Sequence, residues 1–241
     1  DMVHQSAVRL LKVINDILDF SRVESGKMEL DPTTFNLHQA ITNSLKMFSL
    51  QAEKKGIELD LIIGEDVPQQ VYTDSNRLLQ ILINLVNNAI KFTHEGSVQL
   101  MVETTEKSID TMHFLKFTVK DTGIGIPVSK QQQIFESFSQ ADTSTTRKYG
   151  GTGLGLAISA QLAKLFDSKI QLVSSKDDGS TFWFNCALPE QPMTENEQYD
   201  LAFDQLHEKC SPENLRSISI LIAEDEQINQ VLATALLEQL G

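Results

Sequence analysis

The stretch Asn84-Leu-Val-Asn-Asn88-Ala-Ile-Lys91-Phe92 closes a helix in which polar and apolar residues are sorted by the helical turn. Read back toward an N-capping Asp74, the residues Arg77, Gln80, Asn84, Asn88 and Lys91 fall at i, i+3, i+7, i+11 and i+14, on one face. The other faces are almost wholly Leu, Ile, Val and Ala, as in an element packed on most sides. A polar stripe there must meet something polar, because an unpaired buried amide costs about 1–3 kcal/mol. Solvent is one answer. A metal-bound triphosphate is another: amide oxygens are hard ligands for Mg²⁺, and a lysine meets phosphate charge.

Two glycine-rich loops follow, and they sharpen the choice. Asp121-Thr-Gly123-Ile-Gly125-Ile126 starts at the end of a predicted strand. A carboxylate held there can accept the exocyclic amine of adenine, and glycines let backbone approach a ring. Alone, the motif is also a common turn. Gly150-Gly151-Thr152-Gly153-Leu154-Gly155 runs directly into a helix at Leu154, so its amides and the helix N-terminus form an anion cradle. No Lys-Ser/Thr follows it and no strand leads into it, which excludes the phosphate-loop and dinucleotide fingerprints; a plain hinge is the competing reading. Residues 140 to 150 are polar and aperiodic, predicting a mobile loop that ends in Arg147, Lys148 and Tyr149. Such a loop either closes over a terminal phosphate or lies solvated at the surface.

The remaining chain supplies a scaffold. Asn36 can cap a helix through Lys55, which Gly56 ends; residues 57 to 63, 97 to 105, 112 to 120, 170 to 174 and 181 to 188 read as strands; residues 128 to 138 and 154 to 166 read as helices. Helices on one face of a mostly antiparallel sheet predict an α+β two-layer sandwich over 28–189. Within 1–27, residues 1 to 25 read as one long helix stopped by Gly26, with a seam at Val3, Ala7, Leu10, Ile14 and Ile17 that Leu11 and Leu18 widen. This is the spacing of a bundle or coiled coil, which implies a dimer, a missing partner helix, or both. Residues 190–216 are acidic and lightly apolar, a linker; 217–241 begin an α/β domain with a buried strand ending at Glu224 and Asp225 and one helix, a partial βα unit.

Composition limits the functions open to this scaffold. The 241 residues carry a formal charge of −13, which argues against a nucleic-acid surface. Cys186 and Cys210 match no metal or disulfide spacing and read as free thiols of a reducing cytosol. No apolar run approaches the roughly 20 residues that span a bilayer. The chain starts mid-helix and reads as an excised piece, cytoplasmic in character, whose parent could still be anchored in an inner membrane.

In this order and spacing, the blocks resemble the catalytic domain of sensor histidine kinases, of the hybrid type that carries a receiver domain. Asn84 to Phe92 matches the family's asparagine box, Asp121 to Gly125 its first glycine box, Gly151 to Gly155 its second, Phe135 with Phe138 its phenylalanine box, and Gly179-Ser-Thr181-Phe182 its last nucleotide-side segment. Residues 12 to 30 resemble the second helix of the dimerisation domain and its exit; Ile220 to Asn229 resembles a receiver start.

The resemblance implies a Bergerat-type ATP-binding fold and phosphoryl transfer from ATP to a histidine. Asn88, with Asn84 assisting, would hold Mg²⁺; Lys91 and Arg147 would contact phosphates; Phe92 would lie against the nucleotide; Asp121 would bind adenine. Gly123, Gly125, Ile126, Phe135, Tyr149, Gly151, Thr152, Gly153, Leu154, Gly155 and Thr181 would complete the ATP/ADP site. Glu224 and Asp225 would bind Mg²⁺ only in an intact receiver. Related ATPases of gyrase and chaperone type carry a water-activating glutamate where this chain has Asn84, which favours transfer over hydrolysis. None of His4, His38, His94, His113 or His207 has the surroundings of the phosphoacceptor, so that helix is expected outside the chain. Expected partners are a second copy through the N-terminal helix, the missing acceptor helix and receiver, and a downstream phosphotransfer protein or response regulator. The competing functions are a Bergerat-fold ATPase and a non-catalytic nucleotide-sensing dimerisation module.

Overall fold

Among residues 28–191 that the structure describes, seven strands and three α-helices form, most of them from these local signals. A computed structural model describes residues 28–105, 112–136 and 153–191, together with 7, 11, 14, 17–19, 21–23 and 25 of the N-terminal stretch. The chain divides into Asp1–Pro192 and Met193–Gly241. The expected linker, Glu224, Asp225 and Cys210 lie outside the described residues, as do Phe138, Arg147, Tyr149, Gly151 and Thr152.

Helix α1 (Leu37–Lys55) begins where Asn36 accepts the Gln39 N–H at 2.8 Å and ends where Gly56 turns left-handed at φ +67°. Helix α2 (Ser75–Phe92) is capped by Asp74, which accepts from Arg77 N at 3.1 Å while its other oxygen accepts from Asp31 N. Helix α3 is Gly155–Leu165. Strands β2 (Ile57–Ile63), β4 (Gly96–Thr104), β5 (Met112–Asp121), β6 (Gln171–Ser174) and β7 (Ser180–Pro189) form one sheet in the order β2-β4-β5-β7-β6. Only the β2–β4 pair is parallel. Strands β1 (Thr33–Asn36) and β3 (Gln70–Thr73) pair in a second, two-stranded sheet that the sequence reading missed. Four residues each is too short for a periodic signal.

Alternation along the long strands sorts the layers. Val98, Leu100 and Val102 of β4, Leu115, Phe117 and Val119 of β5, and Phe182, Phe184, Cys186 and Leu188 of β7 are buried together with the apolar faces of the helices. Phe117 and Phe184 are register partners whose rings stack at 5.1 Å. Helix α2 lies against both α1 and α3, which explains why its apolar residues cover most of its circumference. Burial holds the Cys186 thiol well above its usual range, so it is inert packing.

One predicted element is corrected. Within the stretch expected to be helical, residues 128 to 136 form two 3₁₀ turns instead, Val128–Lys130 and Gln133–Phe135; 137 and 138 lie outside the described residues. The Gln131 side chain is drawn to Ile126 O at 3.0 Å and Ser174 O at 2.8 Å, which ties this segment to the sheet edge. In the N-terminal stretch, residues 7, 11, 14, 17–19 and 21–23 are helical, and Leu11, Ile14, Ile17 and Leu18 are exposed. Among the described residues no helix is long and apolar enough to cross a membrane.

Candidate functional site

The last residue of α2 touches the loop 122–127 after β5 through Phe92 O, and Asn84 of the same helix reaches the first turn of α3. Asp121 is the last residue of β5 and is only 6% exposed. Its Oδ1 accepts the Gly123 N–H at 2.9 Å, and the Ser180 N–H also donates to the carboxylate. Burial raises its pKa, and these two hydrogen bonds oppose the rise without cancelling it.

The glycines around Asp121 are there because nothing larger fits. A Cβ on Gly123 would sit 2.6 Å from Phe92 O and 2.9 Å from Asp121 Oδ1. Gly125 and Gly179 adopt φ +63° and +78°, and their Cβ atoms would strike the carbonyls of Ser175 and Asp121. Gly123 therefore lies against the carboxylate itself, and Gly179 against the backbone carbonyl of the same residue.

The loop is held from outside by residues that motif reasoning passed over. Ser174 Oγ accepts from Ile126 N at 2.8 Å and donates to Gly179 O at 2.7 Å, with Ser180 Oγ at 3.0 Å. Thr122 Oγ1 accepts from Ser97 N at 3.0 Å, and Ile124 N donates to Phe92 O at 3.3 Å. Lys55 reaches across from α1 to the carbonyls that end α2. Hydroxyls and a lysine in loops and helix ends carry no sequence signal of their own; contact alone reveals them.

The polar stripe of α2 splits into parts. Its first two members never reach the site: Arg77 Nη1 lies 3.3 Å from Asp19 Oδ2 and donates to Gln80 Oε1 at 2.9 Å, and Gln80 Nε2 donates to Asp19 at 3.0 Å. An acidic residue of the N-terminal stretch, not a ligand, answers that end of the stripe. Asn84 Nδ2 donates to Gly155 O at 3.3 Å and Ser159 Oγ at 3.2 Å, joining α2 to the first turn of α3. Asn88 makes no side-chain hydrogen bond to a described residue and is half-buried. Lys91 places its ammonium 4.8 Å from the Phe92 ring centroid, and burial lowers its pKa.

Other expected site residues are distributed unevenly. Ile126 and Phe135 pack partly buried against the core, with Phe135 edge-on to Phe182 at 6.4 Å. Gly153 is left-handed at φ +71°, two residues before α3 begins. Leu154 is 1% exposed, so its side chain belongs to the core and any part in the site falls to its backbone. Thr181 lies on β7. It pairs with Lys120 and Val173, and strand alternation puts it on the sheet face opposite Asp121; its neighbour Ser180 is the register partner of Asp121 and is buried beside it.

Among the described residues no cluster of three His, Cys, Asp or Glu could hold a metal, so a cation here would depend on amide oxygens, water and its ligand. The buried carboxylate of Asp121 thus stands at a strand end, beside a loop that touches the last residue of a largely apolar helix. Residues 73–191 match the family described as histidine kinase-, DNA gyrase B-, and HSP90-like ATPase, and that segment of the chain belongs to it. Hybrid signal transduction histidine kinase K of Dictyostelium discoideum is 40% identical over 239 residues, covering 96% of this chain and 19% of that protein. Signal transduction histidine-protein kinase BarA of Escherichia coli (strain K12) is 42% identical over 190 residues, 79% of this chain and 21% of BarA. The crystal structure of full-length ShkA in complex with AMPPNP superposes with a TM-score of 0.66 at 31% identity, covering 78% of this chain and 38% of ShkA. The chain thus spans about a fifth of the length of these curated relatives.

Proposed function

We propose that this chain binds Mg-ATP between α2, the 122–127 loop and the start of α3, and passes the γ-phosphate to a histidine on a dimerisation helix. The observation that carries the reading is Asp121: a buried carboxylate kept at a strand end, walled by glycines, with acceptor capacity left beyond its two backbone donors. An adenine amine suits that position, because a neutral donor relieves a desolvated carboxylate without a counter-charge. Asn88 would hold the metal, and Lys91 would meet the phosphates, regaining the proton affinity that burial removes. When bound, Mg²⁺ supplies charge neutralisation for the phosphates. Phe92, Gly123, Gly125, Ile126, Phe135, Gly153 and the backbone of Leu154 and Gly155 would line the nucleotide, with Ser180 in place of Thr181. Arg147, Tyr149, Gly151 and Thr152 would close the site from the segment before α3.

Asn84 supports transfer over hydrolysis. An amide is no base, and its N–H groups are already engaged by Gly155 O and Ser159. Its remaining oxygen is free to assist Asn88 at the metal. The exposed seam of Leu11, Ile14, Ile17 and Leu18 supports a partner helix on residues 1–27, from a second copy or from the acceptor helix. In this reading 28–189 is the catalytic domain, 190–216 a linker and 217–241 the start of a receiver, with Glu224 and Asp225 as its metal pair. The setting is the cytoplasm, and the phosphate would pass on to a downstream phosphotransfer protein or response regulator. The test is a calorimetric Mg-AMPPNP titration of the chain with Asp121→Ala and Asn88→Ala beside it, then labelling of an added protein that bears the acceptor helix. Binding in the micromolar-to-millimolar range, lost in both variants, supports the reading; binding unchanged in both refutes the site. Steady phosphate release without an acceptor, and no labelling, refutes the transfer.

A further inference from the structure

At the end of α2 three carbonyls converge, and one ammonium answers all of them. Lys55 Nζ donates to Ile90 O at 2.7 Å, Lys91 O at 3.1 Å and Thr93 O at 3.2 Å. A lysine ammonium has three N–H donors and no acceptor, so this geometry uses its whole capacity. The last carbonyls of a helix lack intrahelical donors and form the negative end of its dipole, which makes a cation there doubly suited. Lys55 is itself the final residue of α1, fixed by the left-handed Gly56 whose N–H donates to Ala52 O and Glu53 O.

The gripped turn is the one that carries Lys91 and Phe92. Phe92 O receives the Ile124 N–H, and Gly123 passes so close to it that no Cβ could stand between. Lys55 therefore connects to the helix end and, through Phe92, to the loop beside Asp121. Nothing in its position brings it to a ligand.

We infer that Lys55 is a positioning residue of the nucleotide site: its ammonium fixes the last turn of α2, which aims Lys91 and Phe92 and seats the 122–127 loop. This rests on the Mg-ATP reading of the cleft. A purely structural cap would change the unfolding midpoint and leave affinity alone, whereas a positioning role changes affinity in a chain that is fully folded.

The test is Lys55→Met in the whole 241-residue chain, titrated with Mg-AMPPNP well below its unfolding midpoint. Kd should rise about tenfold or more, the usual cost of losing a residue that orients a binding group. The amide resonances of Gly123 and Ile124 should shift, and Lys55→Arg, which keeps charge and donors, should recover most of the affinity. Wild-type Kd in Lys55→Met, or an equal loss in Lys55→Arg, overturns the role. If Lys55→Met does not fold, Lys55→Gln, with two N–H donors and no charge, takes its place. A wild-type chain that binds no Mg-AMPPNP sinks the site reading and this role together; wild-type binding with an unaffected Lys55→Met sinks this role alone.

Discussion

Replacing Asp121 by asparagine should separate the site from the fold. Burial raises the pKa of this carboxylate, so the folded chain holds its proton more tightly than the unfolded chain does. Where the folded pKa exceeds the unfolded one, the native state binds more protons, and stability falls as pH climbs through that window. Above it the full deficit is present, and at neutral pH the charge is a net cost to the empty fold. Asp121→Asn removes the charge, keeps an oxygen for the Gly123 N–H, and leaves the volume unchanged. The unfolding midpoint at pH 7 should hold or rise, and the fall in stability with rising pH just above the ordinary carboxylate range should shrink. Binding should go the other way. The asparagine presents an N–H₂ where the adenine amine would donate, so an acceptor is lost and two donors face each other. A hydrogen bond to a charged group is worth about 1.5–3 kcal/mol. At about 1.4 kcal/mol per tenfold, Kd for Mg-AMPPNP should weaken by at least about 10- to 150-fold. In the wild type, affinity should also decline as pH is lowered through the raised pKa. Differential scanning fluorimetry over a pH series and calorimetric titration read both halves. A variant that melts lower and binds as well as the wild type would show that Asp121 serves the fold and not a ligand.

Asn88→Ala and Asn84→Ala should diverge: the first leaves thermal stability unchanged while Mg-AMPPNP binding is lost, whereas the second also lowers stability by about 1–2 kcal/mol because Asn84 bridges α2 to Gly155 and Ser159. Chemical denaturation of the two apo variants separates them. Gly56→Ala, left-handed with open space around it, should cost about 1–2 kcal/mol. Gly179→Ala adds a collision with the Asp121 carbonyl to the same strain and should cost more than about 3 kcal/mol in urea unfolding. The Asp19–Arg77 pair, with side chains 22% and 25% exposed, should show a coupling of about 0.2–1 kcal/mol in a double-mutant cycle and no effect on Kd. A tenfold change in affinity on Arg77→Ala would return Arg77 to the nucleotide face.

Caps, periodicity and glycine chemistry were legible in the chain because each is settled within a few residues. Asn36 with Gly56 bounded α1, Asp74 opened α2, and the Asp178-Gly179 turn joined β6 to β7. The aspartate and its glycines could be picked out as a unit because only small residues allow backbone to approach a buried carboxylate. The pleat was not legible at Thr181: motif spacing does not say which face of the sheet a residue takes, and Ser180 is the one beside Asp121. Residues 128 to 138 looked helical, yet the Gln131 side chain and the sheet edge divided 128 to 136 into two short turns.

By itself, then, the sequence determined which elements form, in what order, and that polar groups were placed on a helix otherwise suited to burial. It could not say what each of those groups meets, because helical phase fixes direction and not partner. Tertiary packing decided that: Asp19 took Arg77 and Gln80, α3 took the amide of Asn84, and Lys55 took the carbonyls that end α2. The Asn88 side chain makes no hydrogen bond among the described residues, so its amide is the part of the stripe that packing did not assign.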